Sequence, residues 1–240
     1  MLLATWNLNN RAGKVRFKPE AALAIGALGA DVVVLSEYFP QPQHQDRFHE
    51  TLASAGLTQQ LLSPDTGERA NRVLIASRLP IEQDELVLPD FDSQFPANMA
   101  AIRLPTLGLR VLGVRVPAYD AKQPSMLTKS WEWLEEFAAS RRDTPTIIVG
   151  DLNVKPTSRK AKGRHFRRLL ASGWTRAEPV GGHSYFGPTG ARTEIDHLLA
   201  TTRCRVRDAR YITAIAGFAF ADAPSALSDH AVLMADVEAC

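Results

Sequence analysis

Short runs of apolar, often β-branched residues alternate with stretches of helical period along the whole chain. Leu2 to Trp6 (LLATW) opens as a strand, and Pro19 to Ala30 reads as a helix, with proline in its first turn and Gly29 near its end. The run Val32 to Ser36 (VVVLS) lacks polar alternation, which predicts a strand buried on both faces. A second helix fits Gln43 to Ala55. From Leu57 to Val116 the pattern changes to strands around VLIAS, LVLP, MAAIRL and LRVLGVRV, separated by proline and glycine, which predicts hairpins and an antiparallel component. Leu127, Trp131, Leu134 and Phe137 then form the apolar stripe of a helix over Ser125 to Ser140 that docks on a sheet. TIIVG at Thr146 to Gly150 is a second doubly buried strand, and HSYF, IDHLLAT, VRDARYI and AVLMADV are the later strand candidates. Strands in both orientations with helices between them predict one α/β domain over residues 1–240, built from mixed sheets covered by helices.

Length and composition agree with that reading. A chain of 240 residues with 45% hydrophobic and 22% charged residues can bury a substantial core, which excludes collagen-like, coiled-coil and wholly disordered classes. The formal net charge of +2 hides an asymmetry. Lys155, Arg159, Lys160, Lys162, Arg164, Arg167 and Arg168 follow one another with no acid between them, and without them the chain would be net acidic. Cys204 and Cys240 show no metal or redox spacing, so a reducing, cytoplasmic setting is expected. The opening MLLATWNLNN lacks the basic and apolar regions of a signal peptide, so the mature chain is expected to begin there. The most apolar stretch, Ala21 to Leu35, is broken by Asp31 and falls short of a membrane span, which predicts a soluble protein.

The candidate chemistry gathers at strand ends. Glu37 follows VVVLS, Asp151 follows TIIVG, Asp196 lies early in IDHLLAT, and Asp229 and His230 stand just before AVLMADV. Strand ends are where α/β folds place ligand sites, and in a mixed sheet the start of one strand adjoins the end of an antiparallel neighbour. Each residue alone reads equally as a turn former, a helix cap or a surface histidine. As a set they are costly to cluster without a cation to neutralise them, and hard oxygen donors suit Mg²⁺ or Mn²⁺, not zinc.

The same residues carry a resemblance. TWNLN at Thr5 to Asn9, LSE at Leu35 to Glu37, VLIASRLPI at Val73 to Ile81, GDLN at Gly150 to Asn153, IDH at Ile195 to His197 and SDH at Ser228 to His230 occur in the order seen in the endonuclease/exonuclease/phosphatase family, which this chain resembles. That family includes abasic-site endonucleases, pancreatic-type DNases, sphingomyelinases and inositol-polyphosphate phosphatases. The resemblance implies a four-layer α/β sandwich, with two mixed β-sheets packed face to face and helices outside. It also implies a Mg²⁺ held by Glu37, with Asn7 and Asp229 nearby. Asp151 would orient or deprotonate the attacking water, and Asn153 would bond a phosphate oxygen. Asp196 would hold His230 in the tautomer that stabilises charge on the phosphate.

Some positions depart from the family pattern. Ser36 stands where Gln often precedes the metal-binding Glu, and Glu194 where a basic residue is common. Arg115 in GVRVPAY replaces a usual Tyr or His; its planar fork suggests a phosphate clamp, and the alternative is an arginine paired with an acid. The basic segment, with Lys155, Arg159 and Lys160 nearest the GDLN motif, is read either as a footprint for nucleic acid or as a solvated helix face. Trp174, Tyr185 and Phe186 could stack on a base, with core packing the alternative for at least two of them. The expectation is therefore a monomeric Mg²⁺-dependent nuclease. Its rivals are a phosphatase or phospholipase acting on inositol phosphates or phospholipids, and a catalytically silent binding module.

Overall fold

The two uninterrupted apolar runs become central strands of two six-stranded sheets. In this computed structural model, residues 1–9, 18–66, 71–87, 95–118 and 124–240 are described. The strands are β1 (Leu2–Asn7), β2 (Val32–Tyr38), β3 (Gln59–Leu62), β4 (Arg72–Ser77), β5 (Glu82–Gln83), β6 (Met99–Leu104), β7 (Leu109–Arg115) and β8 (Thr146–Asp151). They continue with β9 (Trp174–Arg176), β10 (Tyr185–Phe186), β11 (Arg192–Thr193), β12 (Asp196–Thr201), β13 (Cys204–Ile212), β14 (Ala214–Ile215), β15 (Phe218–Ala219) and β16 (Val232–Ala239). The helices are α1 (Glu20–Ala27), α2 (Pro42–Ser54), α3 (Pro124–Arg141) and α4 (Ala161–Ala171).

One sheet runs β13-β16-β1-β2-β4-β3 and the other β5-β6-β7-β8-β12-β9. Each contains one parallel pair, β1 with β2 and β7 with β8, and each pair is joined through a helix, α1 or α3, as parallel strands require. All other pairings within these sheets are antiparallel. Side chains alternate between two cores. From β2, Val32 and Val34 enter the core between the sheets, with Leu3, Val73, Ile147 and Val149. Val33 and Leu35 point the other way, into the core under α1 and α2. Across the molecule, Ile148 meets Trp131, Leu134 and Phe137 of α3 and Phe166 and Leu169 of α4. These three cores separate four layers, the architecture expected of the sandwich.

The differences from the sequence reading have local causes. The predicted helices hold with shifted ends: Pro19 caps α1 rather than lying inside it, and α2 starts at Pro42. LVLP forms no strand at Leu86 and Val87; Leu86 packs on the α3 core and Val87 is exposed, while the edge strand lies earlier, at Glu82–Gln83. Leu88, Pro89 and Tyr119 fall outside the described residues. The basic segment, read as a nucleic-acid footprint or a solvated helix face, is partly a helix, α4, which contains Gly163. That glycine is required: a Cβ at Gly163 would overlap the Ser158 carbonyl. Trp174 is core, its indole N–H donating to the Ala138 carbonyl at 3.0 Å.

His197, on β12, ties the segment after GDLN to the sheet. Its Nε2 donates to the Val154 carbonyl at 2.8 Å, and its ring packs on Phe166 with centroids 4.9 Å apart. Burial is the largest influence on this imidazole and pushes its pKa below the ordinary value, so the folded state keeps it neutral where the unfolded chain would protonate it. Protons then bind the unfolded state preferentially below pH about 6.5, and stability falls as the solution is acidified. Thermal melts between pH 7 and pH 5 should show His197→Asn losing less stability than the native chain, a slope difference of up to about 1.4 kcal/mol per pH unit. Equal slopes would mean that His197 is not proton-linked to folding.

Candidate active site

Register brings the predicted residues together. β7, β8 and β12 lie side by side, with Arg115 opposite Asp151 across the parallel pair and Asp151 opposite Asp196 across the antiparallel one. Facing this end of one sheet is the matching end of the other, where Asn7 closes β1 beside Ser36 of β2 and His230 leads into β16. The chain turns sharply here. Gly150 has φ +141°, and a Cβ on it would overlap the Val114 carbonyl, so no other residue fits before Asp151. Glu37 and Asn153 hold φ of +52° and +50°, conformations that non-glycine residues adopt rarely and that concentrate at functional sites. At Glu37 this coincides with a register shift between β2 and β4, a bulge after which Tyr38 still pairs with Arg72.

Asp151 is buried and surrounded by donors. Asn7 Nδ2 and Asn153 Nδ2 each donate to its Oδ2 at 2.9 Å, and the Asn153 backbone N–H donates to Oδ1 at 2.9 Å. Asn153 Nδ2 also donates to the Val116 carbonyl at 2.8 Å, which pins GDLN to β7's extension. Burial, reinforced by the charge of Asp196, raises the Asp151 carboxyl to about 7 against the opposing pull of His230 and Arg115. A carboxylate so placed is a base matched to neutral pH.

Asp196 and His230 form a dyad from opposite sheets, with Nδ1 donating to Oδ2 at 2.8 Å. Because a carboxylate only accepts, Nδ1 carries the proton of this bond, and the second ring nitrogen, Nε2, lies on the side of Asp229. Burial alone would lower the imidazole, but the charge and hydrogen bond of Asp196, with Asp151 and Asp229 behind it, outweigh burial and raise it to about 10. It is therefore cationic at neutral pH. The dyad is braced on every side: Trp6 Nε1 donates to the His230 carbonyl at 2.8 Å, Tyr211 OH to the Asp196 carbonyl at 2.8 Å, and the Asp196 N–H to Ser184 Oγ at 3.0 Å. Tyr185 lies over the imidazole with ring centroids 5.1 Å apart. No pattern in the sequence singled out Trp6, Ser184 or Tyr211 for this bracing, because it depends on strand pairing.

The donor set suits a hard cation. Asp151, Asp196 and His230 bring ligand-type atoms within 4.8 Å of one another, but a protonated imidazole has no lone pair to give, so of these three the carboxylates are the groups that suit a divalent ion. Asp229 lies alongside, its Oδ1 4.0 Å from His230 Nε2. Glu37 is engaged by Arg115, whose Nε and Nη2 both lie 3.0 Å from Oε1. Arg115 thus rests on an acid of the site itself.

The basic segment divides in two. Lys155, Arg159, Lys160 and Lys162 line one cleft of about 720 Å³ with Glu37, Asp151, Asn153, Asp229 and His230. Lys162 belongs to the site more closely than its place in a charge run suggested: its ammonium donates to the Asn153 carbonyl, and burial lowers its pKa. Arg167 and Arg168 instead serve the fold, through the Ser158 carbonyl and Glu135. Of the three aromatics, Trp174 is core, Phe186 packs against the inter-sheet core, and Tyr185 lines the cleft. Glu194 pairs with Arg176, and both cysteines are unbridged. Among the described residues no helix is long and apolar enough to cross a membrane.

Residues 4–230 match the sequence pattern of the Endonuclease/Exonuclease/phosphatase family. Comparison with curated proteins gives no match. Among solved structures, a 3′ phosphatase from Neisseria bound to a product DNA hairpin is 20% identical, with a TM-score of 0.76 and 98% of each chain covered. A 3′-5′ exonuclease from Neisseria meningitidis is also 20% identical, with a TM-score of 0.73, covering 99% of this chain and 100% of that one. Sphingomyelinase C from Streptomyces griseocarneus is 18% identical, with a TM-score of 0.66 and 98% of each chain covered. These likenesses are of fold, and with the matched sequence pattern they place the chain in the endonuclease/exonuclease/phosphatase family of divalent-metal-dependent, hydrolytic phosphoesterases.

Proposed function

We propose that the chain is a Mg²⁺-dependent nuclease that hydrolyses phosphodiester bonds of nucleic acid. The observation that carries this reading is the continuity of the cleft: the cationic side chains Lys155, Arg159 and Lys160 share one concavity with Asp151, Asn153 and His230. A phosphate track leading into a hydrolytic centre suits a polyanion more than a single headgroup. The 3′ phosphatase bound to DNA and the 3′-5′ exonuclease, similar in fold over nearly their whole lengths, support it. The sphingomyelinase likeness favours a second reading, a phospholipase or phosphatase acting on phospholipids or inositol phosphates. In the nuclease reading the enzyme is a monomer of the cytoplasm, which its two unbridged cysteines suit.

In this reading the metal binds at Glu37, with Asn7 and Asp229 beside it. Asp196 Oδ2 is already committed to His230, so a metal there would break the dyad. Mg²⁺, or Mn²⁺ in its place, would neutralise charge on the phosphate and on the leaving oxygen. Asp151 orients the attacking water and accepts its proton. Arg115 offers N–H donors to phosphate oxygens, whereas Asn153, expected to do the same, has its backbone and side-chain N–H groups spent on Asp151 and the Val116 carbonyl and so positions Asp151 instead. His230, held cationic by Asp196, stabilises the charge that develops on the phosphate oxygens.

Plasmid nicking and oligonucleotide cleavage should be detectable with Mg²⁺ and abolished by EDTA. Asp151→Ala and His230→Ala should each lose about 10²- to 10⁴-fold in rate while keeping the native circular-dichroism spectrum. Hydrolysis of sphingomyelin or an inositol phosphate in place of nucleic acid would select the second reading, and full activity in both variants would refute the role assignment. For nucleic acid, replacing Lys155, Arg159 and Lys160 together by Ala should flatten the plot of log affinity against log salt by about one for each phosphate that the track no longer neutralises. An unchanged slope would remove these residues from the substrate track.

A further inference from the structure

Arg115 and Glu37 are joined more firmly than a surface pair. Two donors of one guanidinium, Nε and Nη2, converge on a single carboxylate oxygen at 3.0 Å. Only 19% and 15% of the two side chains are exposed, so water and salt screen the contact weakly. Each partner is fixed by its backbone: Arg115 closes β7 opposite Asp151, and Glu37 sits in its left-handed conformation where β2 slips register against β4. A guanidinium does not deprotonate in proteins, so its charge cannot be shed when another cation approaches. It can only share the carboxylate against like-charge repulsion or swing aside on its long stem.

We propose that Arg115 is a built-in competitor of the divalent metal for Glu37. When no metal is bound it neutralises the carboxylate and so lowers metal affinity, and on displacement it turns its fork into the cleft toward a substrate phosphate. The inference rests on the reading that places the metal at Glu37. It differs from a purely supporting role for Arg115 in sign: a support, once removed, weakens metal binding, whereas a competitor, once removed, strengthens it.

Titration calorimetry of the full chain with Mn²⁺ alone reads that sign without any turnover. Arg115→Met keeps most of the stem's bulk and removes the charge, and Arg115→Gln gives the same comparison should the Met variant not fold. The neutral variant should bind Mn²⁺ about tenfold more tightly than the native chain. Adding Glu37→Gln to both backgrounds should erase the difference. Equal or weaker binding by a folded neutral variant would overturn the competitor role and leave the metal at Glu37 intact. Absence of Mn²⁺ binding by both the native chain and the variant would remove the metal from Glu37, and the competitor role with it.

Discussion

The structure depends on burying one carboxylate, Asp151, at the end of a central strand. A buried acid must either be protonated or be surrounded by donors and positive charge, and its neighbours supply both kinds of relief. Asn7 reaches across from the other sheet, Asn153 folds back through a left-handed turn, and the Asp196–His230 dyad stands alongside. Satisfying Asp151 therefore requires the ends of both sheets to meet, and the demands of that one carboxylate set the alignment of the sandwich at this end. The result is a carboxyl raised to about 7 beside a cationic imidazole.

Much of this was legible in the sequence where backbone period and strand ends carry the signal. VVVLS and TIIVG read as strands buried on both faces because neither face meets water, and their side chains do alternate between two cores. The acids expected just past them, Glu37 and Asp151, instead lie inside the strands' last residues, at the ends of the sheets that line one cleft. The family motifs then supplied roles that spacing alone left open.

What the sequence hid was pairing. Nothing in the order of residues says that Arg115 rests on Glu37, since β7 and β2 belong to different sheets and 78 residues separate the two. Tyr211 and Ser184 look like ordinary strand and loop residues, yet each bonds the Asp196 backbone. The basic run was misleading in a different way. Its charges are contiguous in sequence, but a helix begins within it at Ala161, which turns Lys162 toward the Asn153 carbonyl and leaves Arg168 paired with Glu135.

The wiring of the site also governs when it can exist. Trp6 is tied to His230 across 224 positions and Asn7 to Asp151 across 144, and β1 finds one of its two partners only in β16. Contacts this distant in sequence form late, after the chain between them has been ordered. Until residues 230–239 are available, Asp151 has no imidazole beside it and the first strand lacks half its ladder. A hydrolase of phosphate esters thus gains its site only when the last strand has paired with the first.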